Sequence, residues 1–445
     1  MLPVMAKTTI KTLPDDDDTN GWANILPERV PNPPLAGDVT VDWAVIGAGF
    51  AGLAAARRLA ENRPNDAIAV IDAQRVGDGA SARNSGFVID LAHNVGSADQ
   101  ADLGAARRST RLSRAATQYL DETVTANQIQ CDWSYRGQHM SAVSGQGEAF
   151  LEGFTEELDA LGEPYRVLDS KALAGELGTG YFRAAVHTPG TILMQPAALV
   201  RGLGDTLPGN VTVYEQSPVT AIDYGDPARL TTAGGTLTAA KMILAVNGFA
   251  PEFDQYRGQV FPIRAFASLT RQLTDAEVAA LGGHGDWGVV PTNAFAGATL
   301  RHTRDNRLLF RQNIGYATRQ STDQSVYAAI QRNHLPLFRA RYPMLPDVTF
   351  DHTWVGFLCM SRNFAPGFSQ PAANVYTAVC QNAVGATKGT IAGMLAADLA
   401  CGVDNPLIKD MDALGQPERL PPRPFLDIGA WAAVKWWAWQ GRSEK

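Results

Sequence analysis

Gly47, Gly49 and Gly52 stand in the spacing G-x-G-x-x-G, and an acid, Asp72, follows some way downstream. In a turn between strand and helix, the first glycine allows the tight bend and the second lets a pyrophosphate approach the backbone. The third lets the helix lie close on the strand. A carboxylate at the end of the next strand can hold a ribose hydroxyl. Three glycines alone would suit any parallel α/β turn, but such a turn has no use for the acid, so the set predicts a dinucleotide site. A second cluster follows directly, "GASARNSGFVID" at 79–90, which crowds small residues, a guanidinium and an amide into a few positions. Small residues let a ligand close on the backbone, and an arginine with an asparagine suits a diphosphate joined to a polar ring system. A nicotinamide dehydrogenase needs nothing of the kind there.

These groups need a strand, a turn, a helix and a second strand to position them. "VDWAVI" at 41–46 reads as a buried strand, the Ala, Leu and Arg-rich run to about Glu61 as a helix, and "AIAVIDA" at 67–73 as the second strand. Further along, "FPIRAFASLT", "GDWGVVPT" and "AFAGATLRHTRDNRLLFRQN" alternate as strands with turns, and "DQSVYAAIQRNHLPLFRARYP" reads as a helix ending before Pro343. No internal repeat and no second glycine fingerprint occurs, which argues against a flavin reductase that also holds NAD(P)H.

With its G-A-S-x-R-N-x-G segment after the second strand, the sequence resembles the D-amino-acid oxidase superfamily of FAD enzymes, on the branch of γ-glutamylputrescine and sarcosine oxidases. The match falls on Gly79, Ala80, Ser81, Arg83, Asn84 and Gly86; Ala82 replaces a common glycine, and Asp72 stands where glutamate is more usual. The resemblance continues through "GTILMQPAALVRGL", "VTVYEQSPVTAIDY", "AAKMILAVNGFAPEF" and 352–402, and "NGWANILPERVPNPPL" at 20–35 matches a leading segment of the branch. It implies an α/β fold: a Rossmann-like, glutathione-reductase-type FAD-binding domain with an α+β substrate domain on a mixed sheet. The FAD domain would comprise 40–95, 190–258 and 352–403, and the substrate domain 96–189 and 259–351. An extension, 1–39, precedes them and an aromatic tail, 404–445, follows. Backbone at Val219 would meet the adenine side. A strand at 375–380 would deliver a helix from near Thr387, with Gly385, Thr387 and Lys388 beside the flavin, where N-terminal N–H groups stabilise negative charge.

In such enzymes the flavin takes a hydride at N5 from the carbon bearing the amine, and the imine hydrolyses, so the protein mainly positions substrate and excludes water. The implied substrate is an amine or amino acid and the implied acceptor is oxygen; a quinone or carrier protein is the rival acceptor, and a structural FAD with an interaction role is the rival outside enzymology. Arg301, His302, Arg304, Arg307 and Arg311 lie on one hairpin, where Arg311 either forks a substrate carboxylate or joins a solvated sheet face. The oxygen-activating lysine of sarcosine oxidases has Leu309 at the nearest matching place. Lys388 sits one position from another lysine of those enzymes and either holds a substrate acid or flavin carbonyl edge, or caps the helix start. Gln381 and Asn382 bring amides to the same loop, and Val384-Gly385 replaces a His-Gly pair. Cys359, in "GFLCMSRN", matches a cysteine that forms a thioether to flavin; a buried cysteine otherwise acts as a small hydrophobe. His93 either meets substrate or shuttles a proton, or is structural.

The 445 residues predict about two domains. A net charge of −7 without a basic cluster argues against nucleic-acid binding. Cys131, Cys359, Cys380 and Cys401 lie too far apart for zinc or a C-x-x-C pair, so no metal is expected and a reduced, cytoplasmic setting fits. No run reaches the roughly 18 apolar residues of a membrane span. Asp15 to Asp18 reads as a solvated tail. The tail's Trp431, Trp436, Trp437 and Trp439 are expected to pack on the protein body or on a partner subunit, and a homo-oligomer is compatible.

Overall fold

Trp43 to Ile46 is apolar without alternation, which suits a strand covered on both faces. In the computed structural model of the chain, which describes residues 7–92 and 102–445, this run ends the strand Gly37–Ile46 inside a nine-stranded sheet. Its parallel neighbours are Gly235–Leu244 and Ile68–Ile71; Val375–Val379 and Val211–Tyr214 extend the parallel set on either side. The helix Phe50–Asn62 contains no β-branched residue and stops at Arg63, ahead of Pro64. It packs on the helix Gly385–Cys401, where a Cβ at Gly393 would lie 1.9 Å from the Ala51 carbonyl oxygen. Leu53, Leu59 and Leu395 share that core, and each such burial stabilises by roughly 1.5–3 kcal/mol.

The second sheet has eight strands in the order Phe350–Ser361, Val260–Thr270, Leu308–Tyr316, Thr299–His302, Trp287–Pro291, Gln138–Ala142, Ala184–Thr188 and Arg166–Asp169. It is mixed: Trp287–Pro291 runs parallel to Gln138–Ala142, and the other pairs are antiparallel. One face carries Phe310 and Phe350 against Phe338 of the helix Ser325–Arg341. The other turns to the first lobe, with Ala267, Leu309 and Trp354 packed on Trp22 and Ala82. Phe350–Ser361, which falls largely within the segment expected in the FAD domain, is hydrogen-bonded along its length to Val260–Thr270 of the second sheet.

Arg301 ties the two parts together. Fully buried, its Nη1 donates to the carbonyls of Gly86, at 2.9 Å, and Met194. Gly86 has φ +80°, and a Cβ there would sit 2.2 Å from that nitrogen. Such a residue belongs to the packing of the loop rather than to a solvated hairpin.

The N-terminal segment differs from the expected solvated tail. Thr8–Thr9 pairs with Ala221–Asp223, and Asp17 is half-buried, accepting from Arg83 Nη2 at 2.8 Å and from the Tyr327 hydroxyl. Asp15, Asp16 and Asp18 are exposed. Local charge repulsion is outweighed at Asp17 by a guanidinium that the sequence could not place beside it. At the other end, the tail forms the helix Phe425–Gln440; Val434 is buried and Trp437 packs against Phe295, but Trp431, Trp436 and Trp439 remain exposed.

Candidate active site

The glycine turn, the loop after Asp72 and the inner face of the second sheet enclose one elongated cavity of about 370 Å³. Gly47, with φ +106°, makes the bend. A Cβ at Gly52 would lie 1.7 Å from the Gly47 carbonyl oxygen, so the helix can sit on the turn only as glycine. At Gly49 a Cβ would approach the Ser81 hydroxyl to 2.6 Å, and that hydroxyl accepts from the Phe50 N–H at 3.1 Å. The first turn of the helix thus opens into the cavity with N–H groups that have no intrahelical acceptor.

Asp72 lines the next stretch. Its Oδ2 accepts from Ala48 N at 2.6 Å and its Oδ1 from Gln74 N at 2.8 Å, which fixes the carboxylate while leaving each oxygen a further lone pair. Burial pushes its pKa up, and the two N–H groups oppose that. Val219, Ala80, Ser81, Arg83 and Asn84 also line the cavity. Asn84 folds its own loop, donating to Ser81 O at 2.6 Å and accepting from Gly86 N at 2.7 Å. Arg83 directs its Nη2 to Asp17.

The far end is formed by Gln381, Gly385, Ala386 and Gly389 from the first lobe's helix and its approach, and by Ala267, Thr299, Arg311, Ile314 and Cys359 from the second sheet. Arg311 is opposite Ala267 on one neighbouring strand and Thr299 on the other, so cross-strand register brings all three side chains to one face. Its guanidinium donates to Thr299 Oγ1, and burial lowers its pKa to about 10. Asp72, Arg75, Arg83 and Arg311 are the charged lining residues; Arg75 meets Asp78 at 2.6 Å and Arg83 meets Asp17 at 2.8 Å, whereas Arg311 has no acidic partner among the described residues.

Gly52, Gly86, Thr387 and Lys388 do not line the cavity. The helix starts at Gly385, two residues before the expected point, and it is Gly385, Ala386 and Gly389 of its first turns that line the cavity. Burial lowers the pKa of the half-buried Lys388 to about 8, against the opposing influence of Cys380. Leu309 is core, packed with Trp22 and Trp354, and among the described residues no lysine lines the cavity. Asn382 holds the preceding loop through Ser361 N, at 2.9 Å, and Phe364 O, at 2.9 Å. His93 lies outside the described residues.

The lining the sequence did not reveal is the strap of Ile10, Thr12, Leu13 and Pro14. It is held by Glu252, which accepts from Lys11 N and Thr12 N at 3.1 and 3.2 Å, and by Asp17 on Arg83. Trp22 Nε1 adds a bond to Asn84 O at 2.8 Å. Burial raises the Asp17 pKa, but the Tyr327 hydroxyl and Arg83 together bring it below its ordinary value. The strap's hold is therefore present above the usual carboxylate range and is lost as pH falls below the Asp17 value. Asp17→Ala is expected to weaken flavin retention about tenfold, the equivalent of ~1.4 kcal/mol, read as the rate of FAD release by fluorescence; an unchanged rate would show the strap to be idle.

The residues present fit FAD. The glycine turn admits a diphosphate, and Asp72 can take a ribose. Buried oxygens at Asn247 Oδ1 and Gln381 Oε1, both on cavity-lining residues, have no hydrogen-bond partner among the described residues and suit a polar ring system. A family model described as FAD dependent oxidoreductase, DAO, matches residues 42–399. The chain belongs to this family. This FAD-dependent oxidoreductase is 27% identical over 404 residues to the γ-glutamylputrescine oxidoreductase of Escherichia coli, covering 87% of this chain and 88% of that one. It is 27% identical over 431 residues to a probable oxidoreductase, OrdL, of Rhizobium meliloti, covering 94% and 96%. In fold it resembles glycine oxidase from Geobacillus kaustophilus, with a TM-score of 0.71 at 17% identity over 86% of this chain and 100% of that one. The L-amino acid deaminase of Proteus vulgaris superposes with a TM-score of 0.66 at 14% identity, covering 86% and 98%.

Proposed function

We propose that this FAD-dependent oxidoreductase oxidises an amine or amino acid that also carries a carboxylate, with oxygen as the electron acceptor. The observation that carries the reading is Arg311, a half-buried cation on the cavity wall with no acidic partner among the described residues. A guanidinium kept without a carboxylate in an apolar enclosure is costly unless a ligand completes it. Glycine, L-amino acids and γ-glutamylputrescine, the substrates named by the relatives and neighbours, all combine an amine with a carboxylate, which supports the same class here.

When bound, FAD would supply the acceptor for the two electrons leaving the carbon that bears the amine. Gly47, Gly49, Asp72 and Ser81 would hold its diphosphate and ribose, and Gln381 and Gly385 its ring end. Arg311 fixes the substrate carboxylate by two parallel N–H bonds, which sets where the amine lies. Val290, Ile314 and Phe357 surround it with apolar surface that excludes water. No nucleophile and no metal enters this scheme, and neither Lys388 nor His93 is needed for a step.

Cys359 stays a thiol on this reading. The neighbouring Cys380 and burial both push its pKa well above the ordinary value, and a thiol held protonated is a poor nucleophile. Acid precipitation is expected to leave the yellow colour in the supernatant; colour in the pellet would instead mean a thioether at Cys359. The acceptor is tested by stoichiometry. One peroxide released for each amine consumed supports oxygen, whereas consumption only in the presence of an added quinone replaces the oxidase reading with a dehydrogenase.

A further inference from the structure

The C-terminal helix Phe425–Gln440 is short of the roughly 20 residues a membrane span needs, and no helix of the described residues is long and apolar enough to cross a membrane. At 3.6 residues per turn, Ile428, Trp431, Lys435, Trp436 and Trp439 fall on one side, within an arc of about 140°. Trp431, Trp436 and Trp439 are 58%, 55% and 53% exposed, and Trp436 stacks on Trp439 with centroids 5.0 Å apart. The helix is not a loose tail. Trp437 packs against Phe295 with centroids 4.9 Å apart and the rings tilted, Asp427 accepts from the Tyr316 hydroxyl at 2.6 Å, and beyond the helix the buried Glu444 accepts from the N–H groups of Val143, Ser144 and Gly147 at 3.0, 3.0 and 3.1 Å. The aromatic face is therefore held outward by contacts at both ends.

We propose that this face is a docking surface for an anionic lipid bilayer, on which the enzyme lies peripherally. Tryptophan suits the interface between headgroups and acyl chains, since its ring is apolar and its N–H needs an acceptor. Charge selects this occupant over a second copy of the chain. Lys435 stands amid the tryptophans, and Arg442 and Lys445 are exposed just beyond, while Glu444 is buried and Asp427 is engaged by Tyr316. A two-fold contact through this face would bring two Lys435 ammonium groups into one apolar interface. Against headgroup phosphates the same cation is favourable, its stem lying along the rings. A groove beside the helix repeats the pattern: Ile428 and Trp431 form apolar wall, Arg264 and Arg319 line it with no acidic partner among the described residues, and its one acid, Asp427, is engaged by Tyr316 and Arg423. The helix leans on Phe295, next to the cavity-lining Ala294, so docking puts the substrate end of the enzyme near the lipid surface.

The test uses the holoenzyme with sedimentable vesicles, either phosphatidylcholine alone or phosphatidylcholine mixed with phosphatidylglycerol. The enzyme is expected to pellet with the mixed vesicles, to be released by salt, and to stay in solution with phosphatidylcholine alone. Lys435→Gln is expected to lower partitioning about fivefold, and replacing Trp431, Trp436 and Trp439 together with serine to abolish it. Bound flavin in the serine variant's supernatant verifies that the body is folded. Wild-type protein left in solution with the mixed vesicles overturns the proposal, as does equal pelleting with both vesicle types. A wild-type dimer that the serine substitutions convert to monomer, without vesicle binding, assigns the face to a second copy instead.

Discussion

Replacing Arg311 with alanine is expected to cut kcat/KM for a carboxylate-bearing amine about a thousandfold, in line with the ~2–5 kcal/mol lost when one partner of a buried charge pair is truncated. The lost contact is made in ground state and transition state alike, so KM should carry most of the change. An amine without a carboxylate gains nothing from the guanidinium, and its kcat/KM should move less than about threefold. The comparison matters because Arg311 lies on the strand Leu308–Tyr316 between Ala267 and Thr299, and a general disturbance of the sheet would slow every substrate equally. Burial already draws the Arg311 pKa down to about 10, so removing the charge relieves desolvation and the variant should be no less stable than the parent. Equal losses for both kinds of amine would remove Arg311 from substrate binding.

The second large effect concerns the cofactor end. Gly52→Ala places a methyl 1.7 Å from the Gly47 carbonyl oxygen, a backbone atom that cannot swing aside. Relief requires the helix Phe50–Asn62 to lift off the turn, and its close packing at Gly393, where even an added Cβ would lie 1.9 Å from the Ala51 carbonyl oxygen, leaves it little room to slide along its neighbour. Overpacking of this kind costs about 3 kcal/mol, and here the cost falls on the geometry that cradles the diphosphate. The variant should purify with little FAD and a lowered melting temperature. Gly153→Ala is the matched control: the added methyl meets nothing within 4 Å in the helix Gly145–Leu161, and stability should hold or rise by ~0.4–1 kcal/mol. Full flavin content in Gly52→Ala would mean that the turn is not the cofactor cradle.

The parts of the site written in local spacing were legible in the sequence. Gly47, Gly49 and Asp72 come together because a strand, a turn and a helix in succession leave them little choice. Ser81 and Asn84 follow because the loop is short and directly attached. What stayed hidden depends on pairing between distant segments. Thr8–Thr9 is a two-residue strand whose partner, Ala221–Asp223, lies more than half the first sheet's sequence away, so no periodicity announces the strap that carries Leu13 and Asp17. Arg301 and Arg311 look alike on a hairpin. Only the approach of Gly86 makes the first a packing pin, and only the register with Thr299 turns the second into the cavity. Phe350–Ser361 reads as a strand from composition, but its place in the second sheet comes from the match with Val260–Thr270. Likewise only the way the helix Gly385–Cys401 seats against the cavity decides that Gly385, Ala386 and Gly389 line it and Lys388 does not.

The most direct measurement is an anaerobic mixing of the yellow holoenzyme with a panel of amines, half of them carrying a carboxylate, followed by the flavin absorbance. Rapid bleaching by carboxylate-bearing amines, with the others slow or inert, is the predicted result. A flavin that keeps its colour with every amine in the panel would contradict the assignment of the Arg311 end of the cavity as the place where an amine is oxidised.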